Sequence, residues 1–276
     1  MWQAGCVIYA SRLGRPIFLA LVLALVAAAS LWSLGQPVPG WAVAGLFALL
    51  LGAVALGNFY APSGIFGRPL LRGSPSLPLV ALTFDDGPEP ASTPAVLAAL
   101  RRHGARATFF VIGERAQRHP ELLAQLAAEG HQIENHSLRH SWATPFLPRG
   151  QLAAELMQTQ QLIEKACGRA PRWFRPPIGI LSPPVAAAAQ RVGLALCGWS
   201  CKSRDGLGST GVDEALGRLR EGLGPGAILL LHDAAERGGH TPVAPAVLER
   251  LLPLMAERGL RAVTLDELAA SPMGNK

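Results

Sequence analysis

The chain divides into two parts that differ in how apolar and polar residues alternate. No charged residue occurs between Arg15 and Arg68, and a turn-forming cluster at residues 36–40, Gln-Pro-Val-Pro-Gly, interrupts this apolar interval. The pieces on either side, residues 17–34 and 41–57, are long enough to span a membrane as helices, the second at the lower limit of length. The pattern therefore predicts a transmembrane helical hairpin.

A secretory signal peptide is the alternative for the first apolar piece, since Arg12 and Arg15 could form its basic region. The apolar stretch is too long for one and lacks a small-x-small cleavage site, so we interpret residues 1–60 as a retained membrane anchor. Arg12, Arg15, Arg68 and Arg72 flank the hairpin, and its turn carries no Lys or Arg. The positive-inside rule then places the C-terminal part in the cytoplasm, at a bacterial-type inner membrane. With a single span, it would lie outside the cytoplasm.

After a linker at residues 61–76, short β-rich apolar runs alternate with segments of helical periodicity. The predicted strands are Pro78–Phe84, Ala107–Ile112, His131–Glu134, Arg172–Arg175, Leu194–Trp199, Ala227–Leu231 and Arg261–Thr264. The predicted helices include Pro120–Glu129, Leu152–Ala166, Pro184–Val192, Val212–Arg220 and Ala246–Arg258. This alternation indicates an α/β domain with a parallel sheet. Seven strands over residues 77–270 favour a (β/α)7 barrel over an open two-domain sheet, the alternative, and leave 271–276 as a tail.

Composition narrows the classes of function. Half of the residues are hydrophobic and 16% are charged, which excludes a disordered or coiled-coil chain. The net charge is +6, but the Lys and Arg residues form no long run, so we expect no nucleic-acid partner. A basic balance instead suits contact with membrane lipid. The four cysteines, Cys6, Cys167, Cys197 and Cys201, form no zinc-ribbon pair, and we interpret the last two as free thiols.

Two adjacent carboxylates, Asp85 and Asp86, follow the first predicted strand within Thr-Phe-Asp-Asp-Gly-Pro. Successive side chains at a strand end point in different directions, so one aspartate can bind a metal while its neighbour faces a substrate. The alternative is an Asp-rich turn that caps the next helix.

A pair of histidines, His136 and His140, follows the third predicted strand within Asn-His-Ser-Leu-Arg-His. Histidines four residues apart converge on a metal if the segment turns helically, although such pairs often lie on the surface. Together with Asp86 they form a His, His and Asp set with an open position for water. That arrangement is typical of catalytic metal sites.

Three further strand ends carry ionisable side chains. His232 ends an apolar strand. It is either an acid–base residue or a histidine with a purely structural place at the edge of the core. Arg175, followed by two stiffening prolines, is either a carboxylate partner or a barrel-rim cation. Asp205 is, in isolation, an ordinary turn residue. Because barrel active sites lie at the carboxyl ends of the strands, these pieces together predict one hydrolytic site.

In order and content, these motifs resemble the polysaccharide deacetylase family, the NodB-homology domain of carbohydrate esterase family four, over about residues 78–268. The matching motifs are Thr-Phe-Asp-Asp-Gly-Pro, His-Ser-x-x-His, Arg-x-Pro-x-Gly and Leu-His-Asp. The resemblance implies a distorted (β/α) barrel. It also implies a hydrolase of non-peptide carbon–nitrogen bonds that removes an acetyl or formyl group from a sugar, a glycan or a lipid-linked sugar precursor.

The resemblance further implies a metal site. Asp86, His136 and His140 would hold one divalent ion, zinc first, with cobalt, nickel or manganese as alternatives. Ser137 would brace the metal-binding loop through hydrogen bonds.

The implied acid–base residues are Asp85 and His232. Asp85 would be the general base, held by Arg175, and His232 the general acid, oriented by Asp205. These two pairs would keep the acid and the base in different protonation states at one pH.

Two positions depart from the family pattern. An aromatic residue usually follows Arg-x-Pro, but Ile178 follows Pro177 here, and it still offers the implied oxyanion-binding backbone N–H. The usual Asp-Trp pair is replaced by Asp205 and Gly206. Both changes predict missing pocket walls and weaker binding of long glycans. An O-deacetylase and a non-catalytic glycan-binding protein are the alternatives, and the complete set of site residues argues against the second.

Overall fold

The structure is a computed structural model that describes residues 8–235 and 239–270, so Cys6 and the expected tail lie outside the described residues. A short strand, β1 (Ile8–Tyr9), precedes two long helices, α1 (Gly14–Ser33) and α2 (Gly40–Phe59). Both helices are long and apolar enough to cross a membrane by length and composition, a test that a signal sequence near the N-terminus also passes.

The helical pair forms where the sequence predicted it. Gly35 ends α1 in the left-handed conformation, with φ of 73°, and its N–H donates to the carbonyl of Trp32. Pro39 directly precedes α2, where its fixed φ suits a helix start. The two helices contact each other along their length, as expected for a hairpin.

The base of this hairpin packs against the rest of the chain. The N–H of Leu181 donates to the carbonyl of Asn58 in α2 at 3.1 Å, and the ring of Phe18 meets the ring of Phe66 edge-on at 5.3 Å. The segment at 61–76 contains a 3-10 helix at Ala61–Ser63 and strand β2, which pairs antiparallel with β1. Strand β2 covers Leu70–Arg72.

The remaining strands form one curled, parallel sheet, which confirms the expected α/β architecture. They are β3 (Leu79–Asp85), β4 (Thr108–Val111), β5 (Gln132–Asn135), β6 (Trp173–Phe174), β7 (Ala195–Leu196), β8 (Cys201–Lys202), β9 (Ile228–His232) and β10 (Arg261–Val263). Their order is β7-β6-β5-β4-β3-β9-β8, and β10 pairs with the start of β3.

The sheet has eight strands rather than seven. The predicted strand Leu194–Trp199 forms β7, and a strand that was not predicted, β8, follows directly after it. The N–H of Cys197 donates to Phe174 on the β6 side, and the N–H of Ser200 donates to Ile228 on the β9 side. The chain therefore crosses the open side of the sheet between β7 and β8, and the result is a half-barrel.

Eight helices accompany the sheet in the described residues. They are α3 (Thr93–Arg102), α4 (Gly113–Arg118), α5 (Pro120–Ala128), α6 (Arg149–Cys167), α7 (Pro183–Arg191), α8 (Val212–Gly222), α9 (Ala244–Glu257) and α10 (Leu265–Ala270). The apolar faces of α3, α5, α8 and α9 cover the outer side of the sheet, whereas Leu265 and Leu268 of α10 pack in a separate cluster with Ala81 and Phe110.

The central strand β3 is buried on both faces, which explains its nearly continuous apolar sequence. Phe84 points into the layer between sheet and helices and stacks on Phe109 of β4 with centroids 5.0 Å apart. Ala81 belongs to the inner layer, with Phe110 and Trp173. Packing on both sides fixes the carboxyl end of β3, where the predicted chemistry begins.

Candidate metal centre and active site

The predicted site residues converge on a cavity of about 420 Å³ at the carboxyl ends of the strands. Asp85 ends β3, His232 ends β9, and the loop after β5 carries the two histidines. The cavity is lined by both aspartates of the first motif, both histidines of the second, Ile178 and His232. Arg175 and Asp205 lie directly behind it and contact Asp85 and His232.

Three potential metal ligands form a compact set. One donor atom each from Asp86, His136 and His140 lies within 4.8 Å of the others. The Nε2 atoms of His136 and His140 are 3.5 and 3.3 Å from Asp86 Oδ1. His136 Nδ1 lies 2.7 Å from the carbonyl oxygen of Arg175, a contact that turns Nε2 towards the aspartate.

The carboxylate of Asp86 supports the assignment of this set to a cation. It is 1% exposed, and neither oxygen has a well-aligned hydrogen-bond donor among the described residues. A buried carboxylate without donors is costly unless a positive charge compensates it. The donor types, one oxygen and two imidazole nitrogens, fit a divalent metal of the zinc class.

Two of the three residues have protonation states that suit metal binding. The third, His136, must lose a proton, because burial alone would lower its pKa but the carboxylates of Asp85 and Asp86 outweigh this effect and raise it. Burial alone would raise the pKa of Asp86, but the neighbouring imidazoles, His136 above all, lower it to about 2. Burial, followed by the charge of His136, lowers the pKa of His140 to about 4. At neutral pH, Asp86 is therefore anionic and His140 neutral, the states in which both bind metals.

Backbone strain is concentrated at the same place. The non-glycine residues with positive φ in the described chain are Asp86, Ser137, His140, Ile178 and Arg204, at 77°, 70°, 51°, 52° and 64°. Four of them line the cavity, and Ser137 lies between the two histidines. Such conformations are uncommon for these residue types and cluster at functional sites, where neighbouring contacts hold them.

Ser137 holds part of this strained loop. Its Oγ accepts a hydrogen bond from the N–H of His140 at 3.1 Å, and its own N–H donates to Asn135 Oδ1 at 2.9 Å. Asn135 Nδ2 in turn donates to the carbonyl of Leu156 in α6. The histidine loop is thus tied to the sheet and to a helix.

Asp85 is held by a buried arginine. Arg175 Nη1 donates to Asp85 Oδ1 at 2.6 Å and to Thr83 Oγ1 at 2.9 Å, and Nη2 donates to the carbonyl of Gly198 at 2.9 Å. The guanidinium lies over the ring of Phe110 at 4.1 Å and is fully buried. Because one carboxylate oxygen is held in this way, Asp85 has a defined orientation at the cavity wall.

A second pair joins His232 to Asp205. His232 Nδ1 lies 2.7 Å from Asp205 Oδ1, and Oδ2 accepts from the N–H of His232 at 3.3 Å. Burial alone would lower the pKa of His232, but the Asp205 carboxylate raises it to about 9. The ring is therefore protonated at neutral pH, with its Nε2 edge at the cavity.

Gly206 occupies a tight position beside that ring. A Cβ built on it would lie 2.9 Å from both Cε1 and Nε2 of His232. Gly206 therefore has a packing role besides the loss of the tryptophan side chain. Because it lacks a Cβ, the backbone can pass directly against the Nε2 edge of the His232 ring.

The cavity walls differ from the sequence-based expectation. Trp142 and Trp199 line the cavity, although sequence reasoning named neither as a pocket residue. Trp142 lies two residues after His140, and Trp199 lies six residues before Asp205. The two tryptophans are 57 positions apart in the chain, so only the fold brings them to one cavity. The departures at Ile178 and Gly206 therefore leave a cavity that still has aromatic walls.

Asp233 and Arg115 are further residues that sequence reasoning missed. The Asp233 carboxylate accepts from the N–H of Gly87 at 3.1 Å and from Thr93 Oγ1 at 2.6 Å. Arg115 donates to the carbonyls of Asp86 and Ala235, both at 3.0 Å. These contacts hold the loops after β3 and β9 together. The one sequence signal for Asp233 was its position directly after His232 in the Leu-His-Asp motif.

Comparisons with known proteins agree with this geometry. Residues 72–197 match the family model for polysaccharide deacetylase. The chain is 38% identical over 201 residues to a chitooligosaccharide deacetylase of Bradyrhizobium sp. (strain ANU 289), an alignment that covers 68% of this chain and 90% of that relative.

Two solved structures are similar. A peptidoglycan N-acetylglucosamine deacetylase has a TM-score of 0.67 at 29% identity, covering 74% of this chain and 94% of that chain. A family 4 acetyl xylan esterase from Clostridium thermocellum, in complex with a cobalt ion, has a TM-score of 0.63 at 32% identity, covering 69% and 89%. Sequence, fold and site agree, and the chain belongs to the polysaccharide deacetylase family as a hydrolase of N-acetyl carbon–nitrogen bonds.

Proposed function

We propose that the protein is a membrane-anchored, metal-dependent hydrolase that removes an acetyl or formyl group from the nitrogen of a sugar. The observation that carries the proposal is the convergence of Asp85, Asp86, His136, His140 and His232 on one cavity. Relatives named as chitooligosaccharide and peptidoglycan N-acetylglucosamine deacetylases support an N-acetylated amino sugar as the substrate class.

In this proposal Asp86, His136 and His140 hold one divalent ion, with zinc preferred over cobalt, nickel and manganese. When bound, such an ion supplies Lewis acidity to the acyl carbonyl and lowers the pKa of a water molecule. Ser137 keeps His140 in its strained conformation through the hydrogen bond to the His140 N–H.

The proton transfers belong to the two buried pairs. Asp85, oriented by Arg175, accepts the proton of the attacking water. The N–H of Ile178, which follows Pro177 in the cavity wall, donates a hydrogen bond to the oxyanion. His232, kept charged by Asp205, donates its proton to the leaving amine.

Acyl release by the purified full-length protein, loaded with zinc, tests this function. The substrates are an N-acetylated chitooligosaccharide, its N-formyl analogue, a nucleotide-linked N-acetylglucosamine and a lipid-phosphate-linked N-acetylglucosamine. We expect acid and free amine in equal amounts from at least one substrate, with Asp85→Asn as the isosteric inactive control. Absence of release from all four substrates by fully metal-loaded protein would refute the proposal.

Ester hydrolysis is a second candidate, which the similarity to an acetyl xylan esterase supports. The same residues can cleave an acetyl ester, and an alkoxide leaving group also takes its proton from His232. Comparing kcat/KM for an acetylated xylan and an N-acetylated oligosaccharide decides between the two. Binding of either glycan without turnover would instead indicate a non-catalytic protein.

We further propose that α1 and α2 span the membrane and that the catalytic domain faces the cytoplasm. Support comes from the charges that flank the hairpin, Arg12, Arg15, Arg68 and Arg72, and from the lack of Lys and Arg in its turn. Extracellular polysaccharide would then be out of reach, so a cytosolic or lipid-linked sugar precursor becomes the expected substrate.

C-terminal reporter fusions test this orientation. A green-fluorescent fusion should be bright, and an alkaline phosphatase fusion silent. The reverse result would place the domain outside the cytoplasm and make cell-surface glycans the expected substrates.

A further inference from the structure

A second cavity of about 360 Å³ adjoins the catalytic cavity and extends to the end of α2. At one end it is bordered by Phe59 and Tyr60, the last residue of the helix and the one after it. At the other end it shares wall residues with the catalytic cavity: Pro176, Gly179, Trp199 and Lys202. We call this second cavity the tail groove. It extends from the end of an apolar helix to residues that also line the catalytic cavity.

The tail groove is mainly apolar along its length. Leu71, Leu181 and Leu196 form its walls between the helix end and Trp199. Phe59 and Tyr60 at its mouth are 74% and 55% exposed, although both are large aromatic residues. Aromatic side chains at the end of a membrane span typically lie at the lipid–water interface. The mouth of the groove therefore lies where a lipid tail would leave the bilayer.

The position of α2 on the domain makes this arrangement specific. The hydrogen bond from Leu181 N–H to the carbonyl of Asn58 joins the last turn of α2 to the loop that carries Ile178. The close approach of Gly179, with φ of 72°, to Trp199 leaves this ring between the two cavities. The end of the anchor and the catalytic loop are thus parts of one wall.

Two cations, Lys202 and Arg204, line the catalytic cavity, and Lys202 also lines the tail groove. Both are exposed. Within residues 8–235 and 239–270, neither has a carboxylate within ion-pair distance. Lys202 Nζ lies 5.7 Å from the centroid of the Trp199 ring. Positive charge at the junction of an apolar groove and a sugar-sized cavity complements a phosphate that joins a lipid to a sugar.

We propose that the tail groove binds the lipid chain of a phosphate-linked lipid–sugar, with the phosphate at Lys202 and Arg204 and the acylated sugar in the catalytic cavity. This assignment rests on the proposed function and names its substrate class. A long glycan would offer hydroxyl groups to these walls, whereas the groove offers mostly hydrocarbon. Membrane anchoring would add effective concentration, because enzyme and substrate would share one surface.

The first test fills the groove without altering the catalytic residues. Ala61 lies in its wall next to the mouth, so Ala61→Trp would occupy the space, and Ala61→Ser is the matched control of nearly unchanged size. The protein is assayed in lipid nanodiscs on lipid-phosphate-linked N-acetylglucosamine and on the corresponding sugar phosphate without a tail. We expect Ala61→Trp to lower the ratio of the two kcat/KM values by at least about tenfold. An unchanged ratio overturns the proposal.

The phosphate contact has its own variant. Lys202→Gln removes the charge and leaves a somewhat shorter, polar side chain, so the KM for the lipid-linked substrate should rise by about five- to tenfold. The control is Lys165→Gln, on the far helix α6. Equal effects of the two variants would contradict the assignment of phosphate to Lys202.

A binding measurement separates this inference from the proposed activity. Farnesyl phosphate, farnesol and inorganic phosphate are each tested for binding to the full-length protein in nanodiscs, with empty nanodiscs as the reference. We expect saturable binding of farnesyl phosphate that Ala61→Trp abolishes, and none of inorganic phosphate. Equal binding of farnesol, or no binding of farnesyl phosphate, overturns the inference. Farnesyl phosphate binding without acyl release from any substrate would uphold the groove and refute the proposed function.

Discussion

Replacing Asp205 with asparagine tests how the protein controls its proposed general acid. The substitution preserves shape and leaves an oxygen that accepts from His232 Nδ1, but it removes the negative charge 2.7 Å from that nitrogen. Asparagine cannot stabilise the charged imidazole. We therefore expect Asp205→Asn to shift His232 towards its neutral form at neutral pH.

The magnitude follows from the pKa of His232. Asp205 is the main reason that this pKa lies at about 9 rather than at the ordinary 6.5. A shift of that size corresponds to about 3 kcal/mol in favour of the charged ring. The contribution of the charged His232 ring to folding stability is complete below pH 6.5 and is lost as the pH rises through 9. The variant should lose most of this contribution at pH 7.

Two measurements check this prediction. An NMR titration of the His232 ring in metal-free protein should give a midpoint at least about one pH unit lower in Asp205→Asn than in wild type. The alkaline limb of kcat/KM in zinc-loaded protein should move in the same direction. Asp213→Asn, at an exposed carboxylate, is the matched control. Identical midpoints in wild type and Asp205→Asn would refute the role assigned to Asp205.

Three further substitutions give distinct results. Asp85→Asn should keep its metal and lose about 10²–10⁴ in rate, as expected for a general base; near-normal turnover would point to another base. Gly206→Ala should lower kcat more than it changes KM, because its Cβ would displace the His232 ring; an unchanged kcat would contradict this packing. Burial lowers the pKa of His131 to about 4, so the contribution of this residue to stability should fall by about 3 kcal/mol as the pH falls from 6.5 to 4. In denaturant titrations His131→Gln should therefore lose less stability than wild type over this range, and equal losses would refute the effect.

The fold was largely predictable because short apolar runs of strand length are followed directly by ionisable residues, which marks the carboxyl ends of the strands. Strand β3 is the clearest case, since its seven buried residues end with Asp85, the first of the two aspartates. The single run at 194–199 was assigned to one strand because its apolar character continues throughout. The N–H of Cys197 in this run donates to Phe174, whereas the N–H of Ser200, directly after the run, donates to Ile228. No local pattern reveals this change of partner.

The site was predictable to the extent that its residues lie in contiguous motifs. Asp86, His136 and His140 come together because parallel strands end at one edge of a sheet. The contacts of Arg115 could not be predicted, because its partners Asp86 and Ala235 lie 29 and 120 positions away in the chain. The sequence around Trp142 likewise does not show that it lines the same cavity as Trp199. The tail groove depends in the same way on the docking of α2.

The metal content of the purified protein tests the central claim most directly, since the proposed chemistry depends on one divalent ion at the Asp86, His136 and His140 set. Mass spectrometry of wild type should give about one zinc-class ion per chain. The double variant His136→Ala, His140→Ala should give almost none, with its fold verified by circular dichroism. A folded double variant that retains full metal occupancy would contradict the assignment of this site and the mechanism built on it.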